Sequence, residues 1–422
     1  MLNCFYKLKN NNDKYNIFFI KIKGSKSLSN RLLILKKIYK NINLINLSDS
    51  DDTFLLKNLL INNKKFIYVK NAGTVLRFLI SYLYLKNKKK IFLYGINRIN
   101  KRPIKYLINF LLYLGLNIQY LKNKYYTPIL INKSKYIKIY NLNINIKISS
   151  QYLSSILLII NKINLINTLF FNKKIISFFY IKMTYLLLKI LKNTIYYNNN
   201  KLFFNKLINS KINYRSVFYL IESDWSSLNF YYSIILFIKK IKLKLKYFFK
   251  NSLQGDNIIY KLYNKYFNIK TKFVNKKIYI YKNYNKYKKY INNIFINFIN
   301  YPDLVPTFVL IFSLLKKNIL FYGLKTLNLK ETNRLKALKN ELQKINIILS
   351  ITMNSLNIKK YILNRLNKKI NLNIYNDHRL IMAFLLLIFF YKKIYINNYK
   401  CINKSYSLFW KQIQYLGFNL TK

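Results

Sequence analysis

Short β-branched runs alternate with longer apolar stretches along the whole chain, and that rhythm restricts the fold more than any other feature. Residues 17–23, IFFIKIK, have strand character, and Leu28, Leu32, Leu35 and Tyr39 then mark a helix face at spacings of four, three and four. The same change of period recurs near KIFLYGI (90–96), KKNILFYG (316–323) and KKIYINNY (392–399). Strands separated by helix-length segments predict an α/β fold. The 422 residues allow more than one unit at ~100–200 residues each. No stretch rich in Pro, Gly or Ser marks a boundary between units.

The charge needs a separate explanation, because 75 Lys and Arg face only 11 Asp and Glu, a net +64. At 52% hydrophobic residues the chain can build cores that a disordered polycation cannot. Nucleic acid is the first partner such a charge suggests. Only eight of the basic residues are Arg, however, and the lysines are scattered among Asn, Ile and Tyr, as in KNYNKYKKYINNIFINFIN (282–300). Base readout leans on bidentate Arg. The composition therefore reads as drift of the A+T-rich type, with no specific nucleic-acid partner expected.

Cys4, Cys401 and the single His378 are too few for a disulfide framework or a structural zinc site. The longest apolar run, Leu380 to Tyr391, is shorter than the ~18–20 residues of a membrane span. A cytoplasmic protein with no membrane association and no structural metal site is expected.

Drift makes the scarce residue types informative. Most of the Gly, Pro, Arg, acidic residues and His gather in islands: GSKSLSNR (24–31), NAGTVLR (71–77), KRP (101–103), SSQ (149–151), ESDWSS (222–227), QGD (254–256), PDLVP (302–306), KETNR (330–334) and NDHR (376–379). In the first, Gly24 permits a tight turn after a strand and Ser25 or Ser27 can cap the next helix, whose open N–H groups suit an anion. Lys26 stands at that mouth. Ser27 and Arg31, four apart, are expected on one side of the helix. In KETNR, Lys330, Glu331 and Arg334 would share a helical face. In NDHR, Asn376 or Asp377 can cap a helix whose first turn carries Arg379, a placement that opposes the helix dipole unless an anion binds there. PDLVPT holds Asp303 in a rigid turn between prolines.

The islands in this order, with NKSYSLFW (403–410), resemble the 5-enolpyruvylshikimate-3-phosphate synthase family of carboxyvinyltransferases over about residues 20 to 410. That resemblance implies an α/β fold of two similar halves, each of three βαβαββ units in an inside-out α/β barrel, closing on substrate. By analogy the halves are 24–221 and 1–23 with 222–422. It implies a monomer that joins phosphoenolpyruvate to the 5-hydroxyl of shikimate 3-phosphate and expels phosphate, with no metal or organic cofactor.

The resemblance also implies site roles. Lys26, Ser27, Arg31, Ser149, Ser150, Gln151, Ser177, Asp303 and Lys330 would contact shikimate 3-phosphate. Lys26, Gly73, Arg102, Gln151, Arg334, Arg379 and Lys404 would contact phosphoenolpyruvate. Asp303, Glu331 and Lys26 would share the proton transfers, since clustered cations offset the repulsion of two anionic ligands while carboxylates move protons. Departures from the family pattern are Lys70 in place of Gly, Phe78 in place of Pro, Asn333 in place of Asp, a Ser177 segment without its Pro, and no clear match near Thr326 for an Asn. The rivals are the sister transferase acting on UDP-N-acetylglucosamine, which needs a loop Cys that neither Cys4 nor Cys401 provides, and a nucleic-acid-binding protein on a retained fold.

Overall fold

The segment VPTFVLIFSL forms the helix Val305–Leu314, in which every residue is buried. A helix that is apolar all round is stable only when covered on all sides. Pro306 lies in its first turn, where a missing N–H costs no helical bond. The apolar run beginning at Leu380 behaves alike: helix His378–Phe384 passes into a 3-10 turn, Leu385–Phe389, buried through Ile388. Among the described residues no helix is long and apolar enough to cross a membrane.

Strands behave differently. Ile241–Lys246 buries Ile241, Leu243 and Leu245, while Lys242, Lys244 and Lys246 alternate to the other face. There Lys242 lies over Tyr279 and Tyr281, and Lys244 over Phe19 and Tyr279. The helix Val305–Leu314 is therefore covered on all sides, while the sheet containing Ile241–Lys246 has one apolar and one wetter face. Part of the excess lysine sits on such faces, its stems resting on aromatic rings.

This computed structural model describes residues 2–6, 16–62, 64–87, 90–144, 150–163, 166–171, 177–191, 195–198, 201–204, 217–284, 294–361 and 366–421. Six sheets are described, five of them four-stranded. Each of the five joins one parallel pair to two antiparallel neighbours. Thus Ile294–Asn297 pairs in parallel with Ile319–Tyr322, which pairs antiparallel with Ser355–Tyr361, and that with Ile347–Ile351. The helix Val305–Leu314 makes the parallel crossover and Arg334–Gln343 precedes the hairpin, giving the order β-α-β-α-β-β. Phe66–Tyr68, Gly73–Lys86, Ile91–Tyr94, Lys105–Tyr113, Asn117–Tyr120 and Ile129–Asn132 repeat it.

The chain forms two compact units. One is the continuous insertion Ser25–Ile221; the other is discontinuous, Met1–Gly24 with Glu222–Lys422. In the discontinuous unit Gly24 and Ser223 pair through an isolated antiparallel bridge. Its N-terminal strand Leu2–Tyr6 lies between Tyr391–Ile396 and Phe418–Thr421, antiparallel to both.

The strand expected over 17–23 is observed as Asn16–Ile20, and the helix that follows is Lys26–Tyr39, with Leu28, Leu32 and Leu35 buried. Ser25 holds the cap position without a side-chain cap bond, and Ser27 lies within the first turn. Lys330 and Glu331 do not share a helical face with Arg334, because the helix begins at Arg334 itself. Asn333 takes its cap, accepting the Lys336 N–H at 3.1 Å. Asn and Asp cap equally well, which removes any structural cost of Asn333.

Lys70 is different. It has φ 50°, in the left-handed region that favours glycine. Lys70→Gly should therefore raise stability by about 1 kcal/mol, the relief of a left-handed non-glycine residue less glycine's added chain entropy. Urea denaturation checks this, and an unchanged or lower midpoint would refute it.

Candidate active site

In the insertion, the helices Lys26–Tyr39, Gly73–Lys86, Ser150–Ile163 and Phe178–Ile190 pack together. Lys26 opens the first and pairs with Asp52 at 3.3 Å. Arg31 lies beside Ser27 as expected, but it points into the helix bundle. It is buried, and its guanidinium donates to the Ser27 carbonyl (2.7 Å), Thr184 Oγ1 (2.7 Å), Ser154 Oγ (3.0 Å) and the Tyr180 carbonyl (3.1 Å). Phe78, also buried, lies under it at 5.3 Å. Desolvation lowers the Arg31 pKa to about 10. Arg31 thus ties helices together.

Gly73 begins its helix with two guanidinium groups close by. A Cβ there would come within 2.8 Å of Nη1 of both Arg77 and Arg102. A side chain there would push both guanidinium ends aside, so glycine lets the two cations meet this helix end, where N–H groups already favour negative charge. Arg77 donates to Gln151 Oε1 at 2.6 Å and lies over the Tyr152 ring, while its buried Nε has no partner. Among the described residues neither Arg31 nor Arg77 has a carboxylate within ion-pair distance. Buried cations without a counter-charge favour a nearby anion.

Arg77 is not among the residues the resemblance assigns. Its signal in the sequence was its place one helical turn after Gly73. Ser150 begins its helix and is buried. Ser177 is buried at the cap position of the next helix with φ 57° and no cap bond. Ser149 lies outside the described residues.

The discontinuous unit holds a second cluster, with Arg334 at its centre. This guanidinium, 1% exposed, donates to Asp377 (2.7 and 3.2 Å), Asp303 (2.8 Å) and Glu331 (3.0 Å). Burial alone would lower its pKa, but the three carboxylates raise it well above the ordinary value. Asp303 also pairs with Lys330 at 3.3 Å and Arg379 at 3.6 Å, and Glu331 lies 4.0 Å from Lys404. Burial opposes ionisation of Asp303, yet Lys330, Arg334 and Arg379 hold its carboxyl well below the usual range. Arg334, expected as one half of a ligand clamp, has its bonds directed to protein carboxylates. Arg379 differs: its Nε and Nη1 are buried without a partner. Asp377 caps the helix His378–Phe384 by accepting the Arg379 N–H at 2.9 Å, which supplies the negative charge that an early Arg requires. Thr326 Oγ1 is buried and unpartnered.

The ESDWSS and QGD islands build the floor of this cluster. Asp224 caps the helix Trp225–Phe237, Gln254 accepts the Trp225 N–H at 3.1 Å, and Glu222 accepts the Leu253 N–H at 2.9 Å. Ser226 donates to the buried Asp256. Burial, reinforced by the negative charge of Asp303, pushes the Asp256 carboxyl up to about 7, against the pull of Ser226 and Arg379. The folded state therefore keeps a proton that the unfolded chain releases above pH ~4. This contribution is fully favourable below that pH and is lost as pH rises toward 7, by up to about 1.4 kcal/mol per pH unit. Asp256→Asn should gain on the wild type in melting temperature between pH ~4 and ~7 and level off above. Parallel melting curves would exclude Asp256 as the titrating group.

The insertion thus holds buried cations without carboxylate partners, and the discontinuous unit holds closely bound carboxylates. Comparison with known proteins identifies the family. Curated relatives include 3-phosphoshikimate 1-carboxyvinyltransferase from Bacteroides fragilis, 30% identical over 404 residues with 95% of each chain covered. The enzyme of that name from Buchnera aphidicola of Cinara cedri is 30% identical, with 93% of each chain covered. Among solved structures, EPSP synthase from Acinetobacter baumannii superimposes with a TM-score of 0.73 at 15% identity, covering 100% of both chains. The enolpyruvyl transferase NikO from Streptomyces tendae gives 0.72 at 9% identity, covering 100% of this chain and 98% of that one. These structures share the α/β fold described above. The sequence profile of EPSP synthase (3-phosphoshikimate 1-carboxyvinyltransferase) matches residues 55–413, most of the chain, and this chain belongs to that family.

Proposed function

We propose that this protein transfers the enolpyruvyl group of phosphoenolpyruvate to the 5-hydroxyl of shikimate 3-phosphate and releases inorganic phosphate. The observation that carries this reading is Asp303 and Glu331 bound to one guanidinium and surrounded by Lys330, Arg379 and Lys404. The substrate oxygen bonds to C2 of phosphoenolpyruvate as C3 gains a proton. Phosphate then leaves C2, and a proton leaves C3 to restore the double bond. Asp303 accepts the hydroxyl proton, Glu331 delivers and recovers the C3 proton, and Lys26 shares this traffic.

Asp303 is a weak base while three cations face it. Anionic substrates that draw off Lys330 and Arg379 raise its pKa, so the base strengthens once its substrates are bound. Lys26, Ser27, Arg31, Ser149, Ser150, Gln151, Ser177 and Lys330 are assigned to shikimate 3-phosphate. Gly73, Arg102, Arg379 and Lys404 are assigned to phosphoenolpyruvate, with Lys26 and Gln151 reaching both ligands, while Arg334 holds Asp303 and Glu331 in place beside it. Arg77 joins them through Gly73 and Gln151. The protein acts as a cytoplasmic monomer, and its lysine excess serves no specific nucleic-acid or membrane partner.

A phosphate-release assay tests the reading. Release should require both substrates together and remain at the blank with either alone. Folded protein that releases none with both, or releases it with UDP-N-acetylglucosamine instead, would overturn it.

A further inference from the structure

The helix Arg334–Gln343 holds one short segment at two points. That segment runs from the end of the strand Leu366–Leu372 to the helix His378–Phe384. At the start of the helix, Arg334 binds both oxygens of Asp377. Two turns later, Glu341, 1% exposed, accepts the Asn373 N–H at 2.9 Å with Oε2 and the Tyr375 hydroxyl at 2.9 Å with Oε1. Lys344 pairs with the same carboxylate at 2.6 Å.

Between the two grips the backbone is strained. Tyr375 and Asn376 have φ 50° and 58°. Asn tolerates that region, but a bulky aromatic residue does not, and such conformations persist only where surrounding contacts enforce them. Asn398 steadies Asn376 through a side-chain hydrogen bond. Tyr375 is enforced by Glu341. Asp377, two residues after Tyr375, caps the helix that carries Arg379, the guanidinium with two unpartnered nitrogens.

We propose that Tyr375, held by Glu341, is a positioning residue that fixes the entry of the helix His378–Phe384 and so aims Arg379 at the carboxylate of phosphoenolpyruvate. This rests on the function proposed above and adds to it a contact remote from the reacting atoms. Burial and the Glu341 carboxylate raise the Tyr375 phenol above its ordinary value. The hydroxyl therefore stays protonated and donating across the neutral range.

Tyr375→Phe removes one hydroxyl and keeps the ring. It should raise KM for phosphoenolpyruvate roughly tenfold, the equivalent of one charge-assisted hydrogen bond, and leave kcat and the KM for shikimate 3-phosphate within about twofold. Glu341→Gln leaves one oxygen to accept the Asn373 N–H while its amide nitrogen can donate to the Tyr375 hydroxyl, so the latch survives without its charge and KM for phosphoenolpyruvate should rise clearly less than in Tyr375→Phe. Glu341→Ala should match Tyr375→Phe in KM, and combining the two should add nothing, as expected for residues acting as one unit.

A purely space-filling Tyr375 would instead leave both KM values unchanged, whatever happened to the melting temperature, and that result would overturn the proposal. If the wild type itself releases no phosphate, the functional reading fails first. Amide hydrogen exchange then decides the latch. Faster exchange confined to residues 373–380 in Tyr375→Phe supports it, and unchanged exchange there refutes it.

Discussion

Arg334→Met should cost the discontinuous unit roughly 3–5 kcal/mol, the penalty for removing one partner of a buried charge network. Methionine fills most of the volume, so the loss is electrostatic. Without Arg334, Asp303 keeps Lys330 and Arg379, and Glu331 keeps Lys404. Asp377, fully buried, keeps the Arg379 backbone N–H but loses its ion pair. The cluster's share of stability also depends on pH in a defined direction. Asp303 has a depressed pKa, so its contribution is present above the ordinary carboxylate range and is lost as pH falls through the lowered value. Urea denaturation at neutral pH measures the effect. A loss below about 1 kcal/mol would mean that the carboxylates do not depend on Arg334.

Arg379→Met should do the opposite: little harm to the fold and a fall in turnover of about a hundredfold or more. Its side chain is buried with two nitrogens unpartnered, and its ion pair to Asp303 is long at 3.6 Å. Replacing an unsatisfied buried cation with an apolar group is neutral or stabilising for folding. In the proposed reaction those nitrogens meet the phosphoenolpyruvate carboxylate. Two charge-assisted bonds at about 1.5–3 kcal/mol each easily account for a hundredfold effect. Steady-state phosphate release, with a melting curve as the control, separates the outcomes. Turnover within threefold of wild type would remove Arg379 from the phosphoenolpyruvate site.

The difference between these arginines was not legible in the sequence, where both looked like halves of one clamp. What distinguishes them is the direction of each guanidinium, set by contacts such as Arg334 with Asp377, distant along the chain. Arg31 makes the same point: its partner Thr184 lies 153 residues away, so no local pattern could show that it is enclosed. Local signals were more readable. The spacing of Leu28, Leu32 and Leu35 defines the buried side of a real helix, and Asp377 caps another. KETNR was misread because Asn333 ends a non-helical stretch and begins the helix one residue later, so Lys330 and Glu331 reach Asp303 and Arg334 from a turn. Lys70 could be identified as unusual, but its reason, a left-handed backbone, is a property of the folded chain alone.

The strand Leu2–Tyr6 imposes an order on synthesis. Asn3 pairs with Tyr395 on one side and Thr421 on the other. At about 5–20 residues per second, a ribosome makes Leu2–Tyr6 roughly 20–80 seconds before those partners emerge. Through that interval the strand has no sheet to join, and its Leu2 and Cys4, buried in the finished protein, stay exposed. Ser25–Ile221, uninterrupted in sequence, is fully translated in about half that time and can fold while the rest is still being made. Leu2–Tyr6 therefore waits longer for its partners than any strand of the insertion does, and a ribosome stalled before residue 391 releases a product with one finished unit and one whose sheet cannot close.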